Sequence, residues 1–258
     1  MEQLKIYYMP ILSNAPSMIA ALPDMGNVAG IGMNFLVKKL NAKLFAEIYA
    51  YWPPYISYNN GLIGYKQTSY KFYCTTSKNI ILFTGDFNPS DPIRLYQITN
   101  EVIRMAEKLT VNKIYSIGAT LKQNMISTNA SANPSSINPI YVISNNSSIL
   151  ETIKQQQNKN NLVILTGEGQ VVGFNGLILG LAKNQGIDAL CLLSEIDNPN
   201  IIQPKAAQLI LSTLVQILKI KLLDMSELEE EEKRKNFMQQ QINYFEKATQ
   251  DPKSPGIA

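Results

Sequence analysis

Between Leu162 and Glu195 the sequence LVILTGEGQVVGFNGLILGLAKNQGIDALCLLSE spells out a strand, a glycine turn, a helix and a second strand. Leu162 to Thr166 is an apolar run of strand length, Gly167, Gly169 and Gly173 punctuate the turn, and Leu177, Leu179, Leu181 and Ala182 sit in a helical segment closed by Gly186. Ala189 to Leu193 is a second apolar run, ending in Ser194 and Glu195. Neither run alternates, so neither has a polar face to show to water. Two such strands joined by a helix predict a parallel pair covered on both faces, and therefore a three-layer α/β/α sandwich around a mostly parallel, mixed sheet.

The same logic recurs along the chain. Met18 to Leu22 reads as a strand, Pro23 to Gly26 as a turn and Val28 to Leu40 as a helix, followed by strands over Leu44 to Tyr51 and Asn79 to Asp86. In YKFYCTT, Tyr70, Phe72 and Cys74 alternate with Lys71 and Tyr73, the pattern of a half-exposed antiparallel strand. Asp91-Pro92 is a helix start, because the aspartate accepts orphan amide hydrogens and proline has no N–H to leave unpaired at the first helical position. Further strands are expected at Lys113 to Ala119 and Tyr141 to Ser144, and helices from Ser148 and over Pro204 to Leu218. Residues 1–222 thus make one α/β domain.

The segment 223–248 has a different character. Ser226 and Glu229 match an S-x-x-E capping box, and Glu229, Glu230 and Glu231 stand four residues before Lys233, Arg234 and Lys235. A charged helical extension is expected, with Met238, Ile242 and Phe245 forming an apolar stripe for the body of the protein or for another subunit. Residues 249–258 are expected to be disordered.

Function classes are narrowed by what is missing. The chain has no histidine, which removes Ser-His-Asp, Cys-His and His-metal arrangements. Cys74 and Cys191 lie in strand contexts and read as buried thiols. A formal charge of +3 is too small and dispersed for nucleic acid. With no bilayer-length apolar stretch and no signal-like start, a cytoplasmic protein without a membrane partner is expected. No G-x-x-x-x-G-K-[ST] stretch occurs.

Two places invite a binding role. Gly167, Glu168 and Gly169, at a strand-to-helix turn, together with Asp86 and Glu195 at strand ends, mark a ligand edge, since open parallel sheets bind ligands at the carboxyl ends of their strands. A small phosphorylated ligand or nucleotide is the chemistry that such glycines suit. The aromatic stretch from Tyr49 to Tyr58, with Trp52 and Tyr55 at its centre, has the rigid side chains of an interface anchor. No cofactor is implied.

The segments LPDMGNVAGIGMNFLVKKL, NIILFTGDFNPSDPIRLYQITNEVI, KIYSIGAT, the stretch Ile164 to Glu195 and QPKAAQLILSTLVQIL resemble, in this order, the archaeal form of the PAC2 family of proteasome assembly chaperones. The resemblance covers most of the chain from Pro16 to Leu222. It implies a fold like that of purine nucleoside phosphorylases, a non-catalytic oligomer of identical copies, and proteasome subunits or a paralogous chain as partners. Two positions depart from the family pattern. Ala119-Thr120 stands where a glycine pair is common, and Gly256-Ile257-Ala258 stands where a hydrophobic-Tyr-X tail docks in archaeal members, so tail docking is not expected.

Overall fold

The computed structural model describes residues 3–50, 57–64, 68–122, 138–155, 161–221 and 223–250. Eleven strands are present among them: β1 (Gln3–Ile6), β2 (Ser17–Ala20), β3 (Lys43–Tyr49), β4 (Ser57–Asn59), β5 (Leu62–Gly64), β6 (Ser69–Thr75), β7 (Ile80–Gly85), β8 (Lys113–Leu121), β9 (Ile140–Ser144), β10 (Leu162–Ile164) and β11 (Asp188–Ile196). The helices are α1 (Val28–Lys39), α2 (Pro92–Lys108), α3 (Ser147–Lys154), α4 (Gly173–Asn184), α5 (Pro204–Ile217) and α6 (Ser226–Gln250). Nine strands form one mixed sheet in the order β1-β3-β6-β7-β2-β8-β11-β9-β10, and β4 and β5 form a separate hairpin.

The centre of the sheet, β7-β2-β8-β11, is parallel throughout. It explains the apolar runs without alternation. On β11, Ala189, Cys191 and Leu193 enter the core on one face, with α2 and α4, while Leu190, Leu192 and Ile196 enter the core on the other, with α1 and α5. Strand β6 lies outside this centre, antiparallel to both neighbours, and buries Tyr70, Phe72 and Cys74 while Lys71 and Tyr73 stay half-buried. The expected α/β/α sandwich is the fold observed.

The unit from Leu162 to Glu195 folds differently from expectation in one respect. β10 and β11 are not a parallel pair. β9 inserts between them, antiparallel to β11 and parallel to β10, so β10 and β11 run in opposite directions. The arrangement is fastened just past β9. Asn145 Nδ2 donates to the carbonyls of Ile187 (3.0 Å) and Leu179 (3.3 Å), and its Oδ1 accepts from Ala189 N (2.8 Å). One amide side chain thereby fastens the end of β9 to the beginning of β11, which only an antiparallel register permits.

Helix starts divide in the same way. Asp91 caps α2 as expected, its Oδ1 accepting from Arg94 N at 2.8 Å with Pro92 in the first turn. Asp91→Ala is expected to destabilise the fold by about 1 kcal/mol, read as a lowered denaturation midpoint at unchanged slope. The capping box at Ser226 does not form as drawn. Ser226 is already inside the helix, and its amide donates to Asp224 Oδ1 at 3.1 Å. Glu229 turns to the body instead, accepting from Gln208 Nε2 at 2.8 Å.

Candidate functional site

Strands β7, β2, β8 and β11 point the same way, and so does β3, which is antiparallel to β6 as β7 is. Their carboxyl ends make one rim of the sheet, where chain reversals leave room for side chains that no strand needs. At its centre stands Asp24, just after β2. Its Oδ1 accepts from Ala29 N (2.8 Å) in the first turn of α1, and its Oδ2 accepts from Ala119 N (2.6 Å) on β8. Burial pushes this carboxyl up to about 6, although the two N–H donors pull the other way.

Beneath Asp24 lies a polar layer. Ser116 Oγ donates to Asn175 Oδ1 at 2.5 Å, bringing the first turn of α4 onto β8. Gly118 makes this approach possible, because a Cβ there would lie 2.3 Å from Asn175 Nδ2 and 3.1 Å from Asp24 Oδ2. Cys191 sits fully buried beside them, its thiol pushed up to about 12 first by burial and then by the charge of Asp24. Such a thiol is a packing group and not a nucleophile. Asp24 and Asn175 hold the rim together, and the sequence reading passed over both. The signal available was the turn Pro23-Asp24 ahead of a helix, but Ala119 lies 95 residues further on.

The carboxylates expected at the ligand edge are present there singly. Asp86 Oδ2 accepts from Ser69 N at 3.2 Å, and its Oδ1 lies 4.0 Å from Lys71 Nζ. Glu195 Oε2 accepts from the Tyr141 hydroxyl at 2.8 Å. Asp86 follows β7 and Glu195 ends β11, three strand spacings away, or about 14 Å. Gly167, Glu168 and Gly169 follow β10, whose direction is opposite to that of β11, and all three are exposed. Gly167 has φ +82°, and a Cβ on it or on Gly169 would meet nothing within 4 Å. Turning, at Gly167, is the one demand that the structure places on these glycines. Among the described residues no cluster of three or more Cys, Asp or Glu could hold a metal ion.

A second polar cluster lies on β1, β3 and β6. Glu47, only 8% exposed, accepts from the hydroxyls of Tyr7, Tyr49 (3.2 Å) and Ser69 (3.3 Å). Its hydrogen bond raises the Tyr7 phenol well above the ordinary range. At the opposite rim a groove of about 770 Å³ runs between Tyr8, Ile11, Leu40 and Thr75, with Lys43 as the one charged residue of its lining.

What stands out from the body at the carboxyl rim is apolar. The hairpin β4-β5 pairs Tyr58 with Ile63 and Asn59 with Leu62 across Asn60-Gly61, both residues at positive φ, as a two-residue hairpin turn requires. Tyr58 is 78%, Leu62 76% and Ile63 70% exposed. Trp52 and Tyr55, expected as contacts in this connection, lie outside the described residues.

Helix α6 lies antiparallel along α5. Met225 meets Ser212, Glu229 meets Gln208, Glu232 Oε2 accepts from Lys205 N at 3.1 Å, and Lys235 Nζ reaches Gln203 at 3.5 Å. Glu227 also pairs with Lys38 at 2.7 Å, and this holds the Glu227 carboxyl below its usual range. The expected Glu-Lys pairs within the helix give way to these contacts with the body and to Glu232-Lys235 at 2.6 Å. By Lys235 the helix has reached the start of α5. Residues 236–250 continue past it for about 22 Å at 1.5 Å per residue. Met238 is 64% exposed, and so is Phe237 at 61%, a residue that the expected stripe omitted. Ile242 and Phe245 belong to the same helix, but their side chains lie outside the described set. No helix among the described residues is long and apolar enough to cross a membrane.

Comparison with known proteins gives a consistent picture. The family model described as the PAC2 family matches residues 18–242. An uncharacterised protein of Methanocaldococcus jannaschii is 24% identical over 233 residues, covering 89% of this chain and 83% of its own. Among solved structures, Pyrococcus furiosus PbaB, described as an archaeal proteasome activator, superposes with a TM-score of 0.78 at 22% identity, covering 94% of this chain and 98% of that one. PbaA of the same organism, described as an archaeal homolog of proteasome-assembly chaperone, gives 0.69 at 21% identity over 95% and 94% of the two chains.

Proposed function

This chain belongs to the PAC2 family, and from that premise we propose that it is a non-enzymatic, self-associating protein that assists or holds the assembly of another complex, with proteasome subunits as the partner. The observation that carries this reading is the second half of α6. A helix end of some 15 residues is marginal in water on its own, and helical segments in proteins draw their stability from packing an apolar face. Residues 236–250 nonetheless continue the helix beyond α5, with Phe237 and Met238 uncovered. An element of that kind suits attachment to another chain.

The rim supports a binding role over a catalytic one. Its carboxylates are spent on structure: Asp24 holds two backbone amides, Asp86 a third, and Glu195 a tyrosine hydroxyl. The likeness to PbaB and PbaA is what supports the proteasome as partner.

Native mass spectrometry of the full chain, alone and mixed with proteasome α subunits of the same source, tests the reading. A defined homo-oligomer that captures α subunits is expected, and a chain lacking residues 236–258 is expected to lose both. A full-length protein that stays monomeric and ignores the α subunits would overturn the proposal.

A further inference from the structure

The hairpin β4-β5 and the projecting half of α6 leave the body at the same rim. β3 delivers the chain to the hairpin at its carboxyl end, and α6 passes the start of α5, which follows the carboxyl end of β11. Between β3 and β11 lie five strand spacings, or about 24 Å, so within one chain the two elements stand at opposite ends of the rim.

The hairpin and the first ten residues of the projecting helix carry no charge, and Glu246 and Lys247 follow only beyond them. From Ser57 to Gly64 and from Asn236 to Phe245 the sequence contains no Asp, Glu, Lys or Arg. Neither therefore repels a copy of the other, and neither offers a charged partner anything to pair with. Each is also incomplete by itself, because a lone two-stranded hairpin is marginal in water.

We propose that the occupant of both is a second copy of this chain. The two copies form a reciprocal clasp, in which the β4-β5 hairpin of each covers Phe237 and Met238 on α6 of the other. A two-fold axis makes the arrangement self-complementary, since hairpin on helix in one direction implies helix on hairpin in the other. Area favours the combination. Tyr58, Leu62, Ile63, Phe237 and Met238 each present roughly 100–150 Å² of surface, so one element alone covers too little. Both together, counted on two copies, come to about 1,200 Å², where stable interfaces begin. The inference rests on the self-association proposed above and adds what covers the helix.

The test uses the full chain. Leu62→Lys with Ile63→Lys changes two exposed side chains, leaves the core untouched, and is expected to weaken self-association roughly a hundredfold, as complete as the loss on removing residues 236–258. In a second arm, Leu62→Cys and Met238→Cys proteins of different tag mass are mixed and mildly oxidised. A disulfide between the two variants, with neither variant linking to itself, supports the clasp. Linkage of Met238→Cys to itself, or an oligomer unchanged by the lysines, overturns it while leaving self-association standing. A monomeric parent protein overturns both.

Discussion

Replacing Asp24 by alanine is expected to lower the unfolding free energy by roughly 2–4 kcal/mol at pH 5, because the buried amides of Ala29 and Ala119 each lose an acceptor, at about 1–3 kcal/mol apiece. The size of the loss depends on pH, and the sign follows from the carboxyl itself. Its pKa rises from 3.8 unfolded to about 6 in the fold. A group raised in this way contributes its full stability below pH 3.8 and loses it as pH climbs through 6. The native protein therefore gives up about 3 kcal/mol from this one group between about pH 3 and pH 7.5, roughly half of it by about pH 5, and the alanine variant does not. The gap between the two should be widest below about pH 4 and narrow toward neutrality. Asp24→Asn keeps one acceptor, turns a donor toward the other amide, and removes the titration. With no histidine in the chain, no imidazole overlies the effect. Urea denaturation across this pH range measures it, and an alanine deficit constant with pH would show that the carboxyl stays ionised throughout.

Gly176→Ala should cost about 3 kcal/mol, at the upper end of what overpacking costs. A Cβ at Gly176 would lie 1.8 Å from the carbonyl oxygen of Val171 and 2.6 Å from its carbon. Those are backbone atoms, so relief requires the segment entering α4 to move, and with it the turn that seats Asn175 over Gly118. Gly180, one turn later on the same helix, is the control. A Cβ there meets nothing within 4 Å, so Gly180→Ala gains helix propensity and should stabilise by up to about 1 kcal/mol. Calorimetry of the pair separates the two effects, and equal melting shifts of the same sign would refute the collision.

Much of this architecture was legible in the amino acids. Strands buried on both faces declare themselves by apolar runs, as in Ile80–Gly85 and Asp188–Ile196, and Asp91-Pro92 fixed the start of α2 to the residue. Strand neighbours were harder to read. Periodicity reports which faces are covered and says nothing of direction, so the insertion of β9 between β10 and β11, secured by Asn145, had no local signature. The rim shows the same limit. Asp86 and Glu195 lie at the carboxyl ends of β7 and β11, as their positions after apolar runs indicated, while their separation depends on strand order. Asp24 and Asn175 act on partners far away in the chain, and no spacing rule reaches them. Of the stripe expected on α6, Met238 is exposed, and the exposure of Phe237 beside it depends on where α5 starts.

The way α6 is fastened has a consequence of its own. Only its beginning is anchored by burial, at Met225 and Leu228. From there to Lys235 the grip is polar, through Glu227-Lys38, Gln208-Glu229 and Lys205-Glu232. Of these only Glu227-Lys38 is an ion pair between exposed side chains, and such pairs are weakened by salt, whereas buried apolar contacts are not. Ionic strength therefore acts on the tie between α6 and α1 and spares the footing: rising salt slackens one stay of the helix, while its hydrogen bonds to α5 and the sheet beneath keep their hold.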